Sequence, residues 1–133
     1  LIYTAKNLSA QDAYRIGLVN AVYPQEELMA AAEKLAADGI NAKVINIHTI
    51  KPIDEDLIVS AAKECGKVVT VEEHSVIGGL GSAVCEVLSR KAPTPVKTIG
   101  IQDCFGESGP AVALLEKYGL DAAGIYKQIK AFI

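Results

Sequence analysis

The sequence contains no Trp, and aromatic residues make up only 5% of its 133 residues. It has no run of Lys and Arg, and its net charge is −3, which argues against a general nucleic-acid surface. No apolar run is long enough to span a membrane. The three cysteines are far apart and form neither a CxxC pair nor a zinc-binding spacing. We therefore expect reduced thiols, a cytoplasmic location, no metal site, and neither a nucleic-acid nor a membrane partner.

Half of the residues are hydrophobic, and most of these are Ala, Val, Ile and Leu. This composition is typical of α/β proteins, in which parallel strands are buried on both faces. The length suits one domain with one core.

Strand-like and helix-like segments alternate along most of the chain. The predicted strands are residues 18–23, 43–47, 67–71 and 96–100. The predicted helices are residues 10–16, 26–37, 54–65, 80–89, 110–117 and one from 121 to near 132. This is the spacing of βαβ units, in which a helix crosses between parallel strands. The sequence therefore predicts a three-layer α/β/α domain with a mostly parallel sheet of about five strands.

A charged triplet, Glu72, Glu73 and His74, follows the predicted strand 67–71. Two carboxylates beside a histidine could support proton transfer or hold a metal. The same residues could instead anchor a loop by hydrogen bonds or face a dimer partner, which we favour. Because successive strand residues point to opposite faces, the two glutamates need not share a site.

Three glycines, Gly78, Gly79 and Gly81, come next and precede a predicted helix. They permit a tight turn and expose backbone N–H groups at the helix start, where a small anion such as phosphate could bind. GGLG is neither a Walker loop nor a full GxGxxG motif. We therefore favour a turn that requires positive φ.

Polar residues also follow the two flanking predicted strands. His48 and Lys51 come after residues 43–47, and Asp103 comes after residues 96–100. Parallel sheets usually bind ligands at the carboxyl ends of their strands. Structural loops are nevertheless the favoured interpretation for all three residues.

Three segments in order are AAEKLAADGINAKVINIHTIKPID, KVVTVEEHSVIGGLGSAV and IQDCFGESGPAVALLEKYGLDAAGI. Because these segments occur in this order, residues 31–133 resemble the C-terminal domain of transketolase. The likeness to the separate C-terminal subunits of bacterial split transketolases is close. The resemblance implies the same α/β fold.

The beginning of the chain, LIYTAKNLSAQDAYRIGLVNAVYPQEELM, resembles a different family, the enoyl-CoA hydratases or crotonases. The similarity covers residues 1–29 and rests on the phrase AYRIGLVNAV. It implies a foreign lead over residues 1–30 joined to a transketolase-like domain over residues 31–133, by design, recombination or natural fusion. We expect the two parts to fold as one unit.

In transketolases, the motifs that hold thiamine diphosphate and its divalent metal lie in upstream domains. The resemblance therefore implies a non-catalytic assembly or dimerisation domain that binds no cofactor alone. It also implies a homodimer, with His74 or the glycine turn at or near the contact. One alternative is a C-terminal subunit that completes an active two-subunit transketolase with a thiamine-diphosphate-binding partner. Another is a small-anion-binding α/β domain.

Overall fold

The computed structural model describes residues 26–133, which form five helices and two strands. In chain order they are α1 Glu26–Ala37, α2 Glu55–Cys65, β1 Val68–Ser75, α3 Leu80–Lys91, β2 Val96–Ile101, α4 Ala111–Tyr118 and α5 Ala122–Lys130. The predicted helix 10–16 and the predicted strand 18–23 lie outside the described residues. No helix in the described part is long and apolar enough to cross a membrane.

Local capping chemistry sets the ends of α2, α4 and α5. The Asp54 carboxylate accepts a hydrogen bond of 3.0 Å from the Leu57 N–H and so caps α2. Gly66 ends α2 and Gly119 ends α4, both with the left-handed backbone that glycine adopts without strain. Asp121 caps α5. These local contacts explain why α2, α4 and α5 lie close to the predicted helices 54–65, 110–117 and 121 to near 132.

The two strands are parallel neighbours, and α3 is the crossover between them. Val68 pairs with Val96, and the register stays regular as far as Val71 and Ile99. The next pair is Ser75 with Ile101, so β1 contains extra residues in a bulge.

Apolar side chains cover both faces of this sheet. On one face Val68 packs against a cluster from α2 and α3, formed by Ile58, Ala62, Val84, Val87 and Leu88. On the other face Val69 and Val71 pack against a second cluster, formed by Ala31, Ile99, Leu120 and Ile125, which includes residues of α1 and α5. This alternation produces the three predicted layers among the described residues.

The structure corrects the prediction for residues 43–47. No strand is assigned between residues 40 and 50, and the sheet of the described residues has two strands. The predicted number of about five is therefore not confirmed. A β-branched apolar pattern shows that a segment suits a sheet, but a strand also needs a hydrogen-bonded neighbour. Residues 26–133 supply none beside this segment.

Further boundaries differ from the prediction. β1 continues to Ser75 instead of ending at residue 71, and α3 continues to Lys91 instead of residue 89. The charged triplet therefore belongs to the strand and not to a loop. Its neighbour β2 also extends further, to Ile101, whose carbonyl accepts a hydrogen bond from the Val76 N–H. Pairing with β2 thus extends the strand through charged residues.

Candidate functional site

The two parallel strands end side by side, so the loops that follow them leave the sheet at the same end, where both strands have their carboxyl termini. The Val76 N–H lies 3.1 Å from the Ile101 carbonyl oxygen at this point. We call residues 72–81 and 101–107 together the carboxyl edge. It contains the predicted glycine turn and Asp103.

Glu72 connects β1 to the first turn of α3. One carboxylate oxygen accepts a hydrogen bond of 2.7 Å from the Leu80 N–H, and the other accepts one of 2.9 Å from the Gly81 N–H. The first N–H groups of a helix have no partner within the helix, and its N-terminus carries partial positive charge. The partly buried Glu72 carboxylate therefore satisfies two such donors and complements the charge.

The Glu72 carboxylate thus occupies the position at the start of α3 where a phosphate was considered as a ligand. The N–H groups of Leu80 and Gly81 are already bonded to Glu72, and the Gly78 N–H donates to the Ser82 hydroxyl at 2.8 Å. The geometry therefore weighs against the small-anion interpretation of the glycine turn.

The three glycines are needed for different reasons. Gly78 has a φ of +80°, which favours glycine, as the turn interpretation expected. At Gly79 a β-carbon would collide with the Glu72 carboxylate and lie 2.9 Å from the Ser75 carbonyl oxygen. At Gly81 it would lie 2.6 Å from the methyl group of Thr98. Close packing, not positive φ, explains glycine at these last two positions.

The other members of the charged triplet are exposed. Glu73 lies in solvent, and His74 has its Nδ1 2.9 Å from the Ser75 carbonyl oxygen. The two glutamates thus have separate environments, and residues 26–133 contain no cluster of His, Cys, Asp and Glu suited to a metal. Within residues 26–133, neither exposed side chain is hydrogen-bonded to another titratable group.

The remaining candidates are not brought together into one site. His48 and Lys51 are exposed, and no hydrogen bond or ion pair within residues 26–133 joins them to the carboxyl edge. Asp103 is also exposed, with a φ of 46°, and its N–H donates to the Ile101 carbonyl at 3.1 Å. Asp tolerates this left-handed conformation better than most residues.

Two exposed apolar side chains at the carboxyl edge were not predicted from the sequence. Ile77, in the loop after β1, is 63% exposed, and Phe105, in the loop after β2, is fully exposed. The signal in each loop was a large apolar residue directly before a glycine. Large apolar side chains held in solvent mark contact surfaces when they are close together.

The loop that carries Phe105 is tied to α4. The Glu107 carboxylate accepts hydrogen bonds from the Lys117 ammonium group and from the Tyr118 hydroxyl, the latter at 2.8 Å. The hydrogen bond from Lys117, followed by that from Tyr118, lowers the pKa of Glu107. The loop therefore has a fixed anchor beyond its exposed aromatic residue.

Comparison with known proteins identifies the relatives of this chain. Residues 8–125 match the family described as transketolase, C-terminal domain. The chain is 50% identical over 101 residues to the 6-deoxy-6-sulfo-D-fructose transketolase subunit SqwH of Clostridium sp. (strain MSTE9), covering 76% of this chain and 31% of that protein. It is 40% identical over 124 residues to 1-deoxy-D-xylulose-5-phosphate synthase 1 of Geobacter metallireducens, covering 92% and 19%.

A solved structure described as a split gene transketolase, inactive beta4 tetramer, has the same fold. It matches with a TM-score of 0.72 and 47% identity, and covers 80% of this chain and 33% of that one. The chain thus spans a third or less of the length of each of these proteins.

These comparisons do not support a separate crotonase-like lead or a chimera. The family match begins at residue 8, and the Geobacter protein aligns with 92% of the chain, so both include part of residues 1–29. Short sequence segments that pair an apolar helix with an apolar strand occur in many α/β families. Similarity over so few residues is therefore weak evidence that residues 1–29 come from another family. That the whole chain folds as one unit stays a prediction.

Proposed function

Since the chain belongs to the transketolase C-terminal domain family, we propose that it is the non-catalytic assembly domain of a thiamine-diphosphate-dependent, transketolase-like enzyme. The observation that carries the proposal is the pair of exposed apolar side chains, Ile77 and Phe105, at the carboxyl edge. In this proposal the edge contacts a second copy or a partner subunit.

The chemistry of the carboxyl edge suits a protein contact better than a small-molecule site. Ile77 and Phe105 are exposed side chains of two loops. Hydrogen bonds of Glu72 hold the first loop to α3, and hydrogen bonds of Glu107 hold the second loop to α4. A rigid aromatic side chain that loses its water on binding is a common source of interface affinity. His74, exposed three residues before Ile77, would lie near the contact.

The described residues do not fit the cofactor of the transketolases. Residues 26–133 contain no cluster suited to a divalent metal, and Glu72, the one partly buried carboxylate of the charged triplet, is used by α3. In this proposal thiamine diphosphate and its metal bind in a partner subunit or in domains outside this chain.

A second candidate is a subunit that completes an active two-subunit transketolase. It is favoured by the Clostridium relative, whose name calls it a transketolase subunit, and by the solved neighbour, a split gene transketolase. That neighbour is described as an inactive tetramer of beta chains. By analogy, this chain would self-associate and remain inactive until its partner is present.

The first prediction separates these two functions. Alone, the chain should self-associate at micromolar concentration and transfer no ketol groups. We would mix it with a thiamine-diphosphate-binding transketolase subunit, and measure mass by sedimentation and activity by ketol transfer. A mixed complex with activity favours the completing subunit, and a mixed complex without activity favours the assembly domain.

Two results would contradict the proposal. Ketol transfer by the purified chain above background would show that it holds catalytic machinery of its own. A monomeric mass at every concentration, with and without the partner, would show that the carboxyl edge makes no such contact.

The second prediction tests the location of the contact. Ile77→Lys should weaken self-association by about tenfold or more, because it replaces an exposed apolar side chain of the proposed contact with a hydrated charge. The fold should be unaffected, since the side chain is 63% exposed. The measurement is the dissociation constant from sedimentation at several concentrations.

The matched control is Ile133→Lys, which changes another exposed Ile at the opposite end of the sheet. The Ile133 carbonyl lies 2.9 Å from the ammonium group of Lys67, the residue directly before β1. This variant should associate like the unchanged chain. If both variants associate equally well, the contact lies elsewhere.

The small-anion function has the least support, because Glu72 already occupies the helix start. Inorganic phosphate should therefore leave the NMR amide shifts of Leu80 and Gly81 unchanged.

A cytoplasmic location also stays a prediction.

A further inference from the structure

Helix α4 differs from the other helices of the described residues. Each of the other four buries at least one apolar side chain, whereas α4 buries none. Leu115 and Tyr118, toward its end, are half-buried and pack against the cluster that contains Ile99. Residues 111–113 of its first turn are exposed, and Val112 has 75% of its surface in solvent. The start of α4 therefore presents apolar side chains to solvent.

The loop before α4 has the size and composition of a contact surface when it is taken with this first turn. Residues 102–113 are all exposed, and they contain the fully exposed Phe105. Together with residues 73–78 of the carboxyl edge they approach the roughly 20 residues that each side of a stable dimer contributes. Of their two carboxylates, that of Glu107 is paired with Lys117. Interface cores are similarly poor in charge and rich in aromatic side chains.

The Glu107 hydrogen bonds show how this loop runs along α4. They join the loop to Lys117 and Tyr118, which lie in the last turn of the helix. The hydrogen bond from Glu107 raises the pKa of Tyr118, and the nearby Cys104 thiol contributes to the same shift. Phe105, between Cys104 and Glu107 in sequence, therefore lies toward the end of α4.

Val112 lies at the opposite end of the same helix. The eight residues of α4 extend about 12 Å, so the two exposed side chains are well separated. This separation explains why Phe105 does not cover Val112 within one chain, since both remain largely in solvent.

The two ends of α4 also differ in charge. Pro110 is at the N-cap position and makes no side-chain hydrogen bond, and the first turn contains no acidic residue. The free N–H groups of such a start carry partial positive charge. Glu116 is exposed in the last turn. Two copies of α4 lying antiparallel would bring this carboxylate to the helix start of the other copy.

We propose that a second copy of this chain docks on α4, with the two α4 helices antiparallel across a twofold axis. In this arrangement Phe105 of each copy packs against Val112 of the other, and Glu116 of each complements the other helix start. Twofold symmetry makes both contacts reciprocal. This inference rests on the proposed function, because it extends the proposed contact from the carboxyl edge to α4 and names a second copy as its occupant.

An exchange of charges tests the reciprocal contact. Phe105→Glu and Val112→Lys should each weaken self-association by about tenfold or more, because each places a charge against an apolar side chain of the other copy. An equimolar mixture of the two variants should associate within about threefold of the unchanged chain. One of its two contacts is the original pair, and the other sets Glu against Lys. Sedimentation at several concentrations gives the dissociation constants.

Leu57→Lys is the matched control. It changes another exposed apolar helix residue, on α2, which packs on the other face of the sheet. This variant should associate like the unchanged chain. Circular dichroism should show that every variant keeps the fold. The unchanged chain provides a second readout, since nuclear Overhauser contacts between Phe105 and Val112 should appear between labelled and unlabelled copies in a mixed sample.

Four results would overturn the inference. The mixture could associate no better than either variant alone, which would show that Phe105 and Val112 are not reciprocal partners. Ile77→Lys could weaken self-association while Val112→Lys does not, which would leave the proposed function intact and limit the contact to the carboxyl edge. Val112→Lys could weaken only a mixed complex with a thiamine-diphosphate-binding subunit, which would make that subunit the occupant of α4. A monomeric mass at every concentration, with and without that subunit, would contradict this inference and the proposed function together.

Discussion

Replacing Glu72 with Ala is expected to lower the free energy of unfolding by about 2 kcal/mol. The substitution leaves the N–H groups of Leu80 and Gly81 without their acceptor in a part-buried setting. It also removes negative charge from the N-terminus of α3, where the helix dipole favours it. Urea denaturation followed by circular dichroism would measure the change.

Glu73→Ala is the matched control, because it removes the same side chain one residue further along β1, where it is exposed. It should change the free energy of unfolding by at most about 0.5 kcal/mol. Glu72→Gln keeps one acceptor oxygen without the charge and should fall between the two. Equal stability of Glu72→Ala and Glu73→Ala would show that the helix does not depend on the carboxylate.

The ends of α2 and the C-terminal end of α4 could be predicted because their causes lie next to them in the chain. The Asp54 cap and the glycine ends at Gly66 and Gly119 depend on residues within one turn. The strands were harder, because pairing depends on a distant partner. Residues 43–47 look like residues 67–71 in composition, and only the second segment has a neighbour among the described residues.

The site was predictable in position but not in detail. Alternation along a strand separated Glu72 from Glu73, yet it could not tell which of them faces α3. That choice depends on which face of the sheet the crossover helix covers. The exposure of Ile77 and Phe105 was not predictable either, since exposure depends on what else packs nearby. Apolar loop residues look the same in sequence whether buried or exposed.

Gly81→Ala is expected to destabilise the protein by about 2 kcal/mol, although alanine usually stabilises a helix relative to glycine by up to about 1 kcal/mol. The added β-carbon would lie 2.6 Å from the Thr98 methyl carbon and 3.0 Å from the Thr70 hydroxyl oxygen. Thr70 is 5% exposed and so has little room to move. The overlap therefore falls where α3 packs on both strands.

A double-mutant cycle identifies the cause of this loss. Thr98→Ser removes the methyl group that the new β-carbon would strike, so Gly81→Ala should be about 1 kcal/mol less destabilising in that background. The Gly106→Ala control should be nearly neutral, because no atom lies within 4 Å of its β-carbon position. Chemical denaturation of the unchanged chain, the two single variants Gly81→Ala and Thr98→Ser, and the double variant gives the coupling energy. If Gly81→Ala is as neutral as Gly106→Ala, or if Thr98→Ser restores nothing, close packing of α3 on the strands is not what requires glycine there.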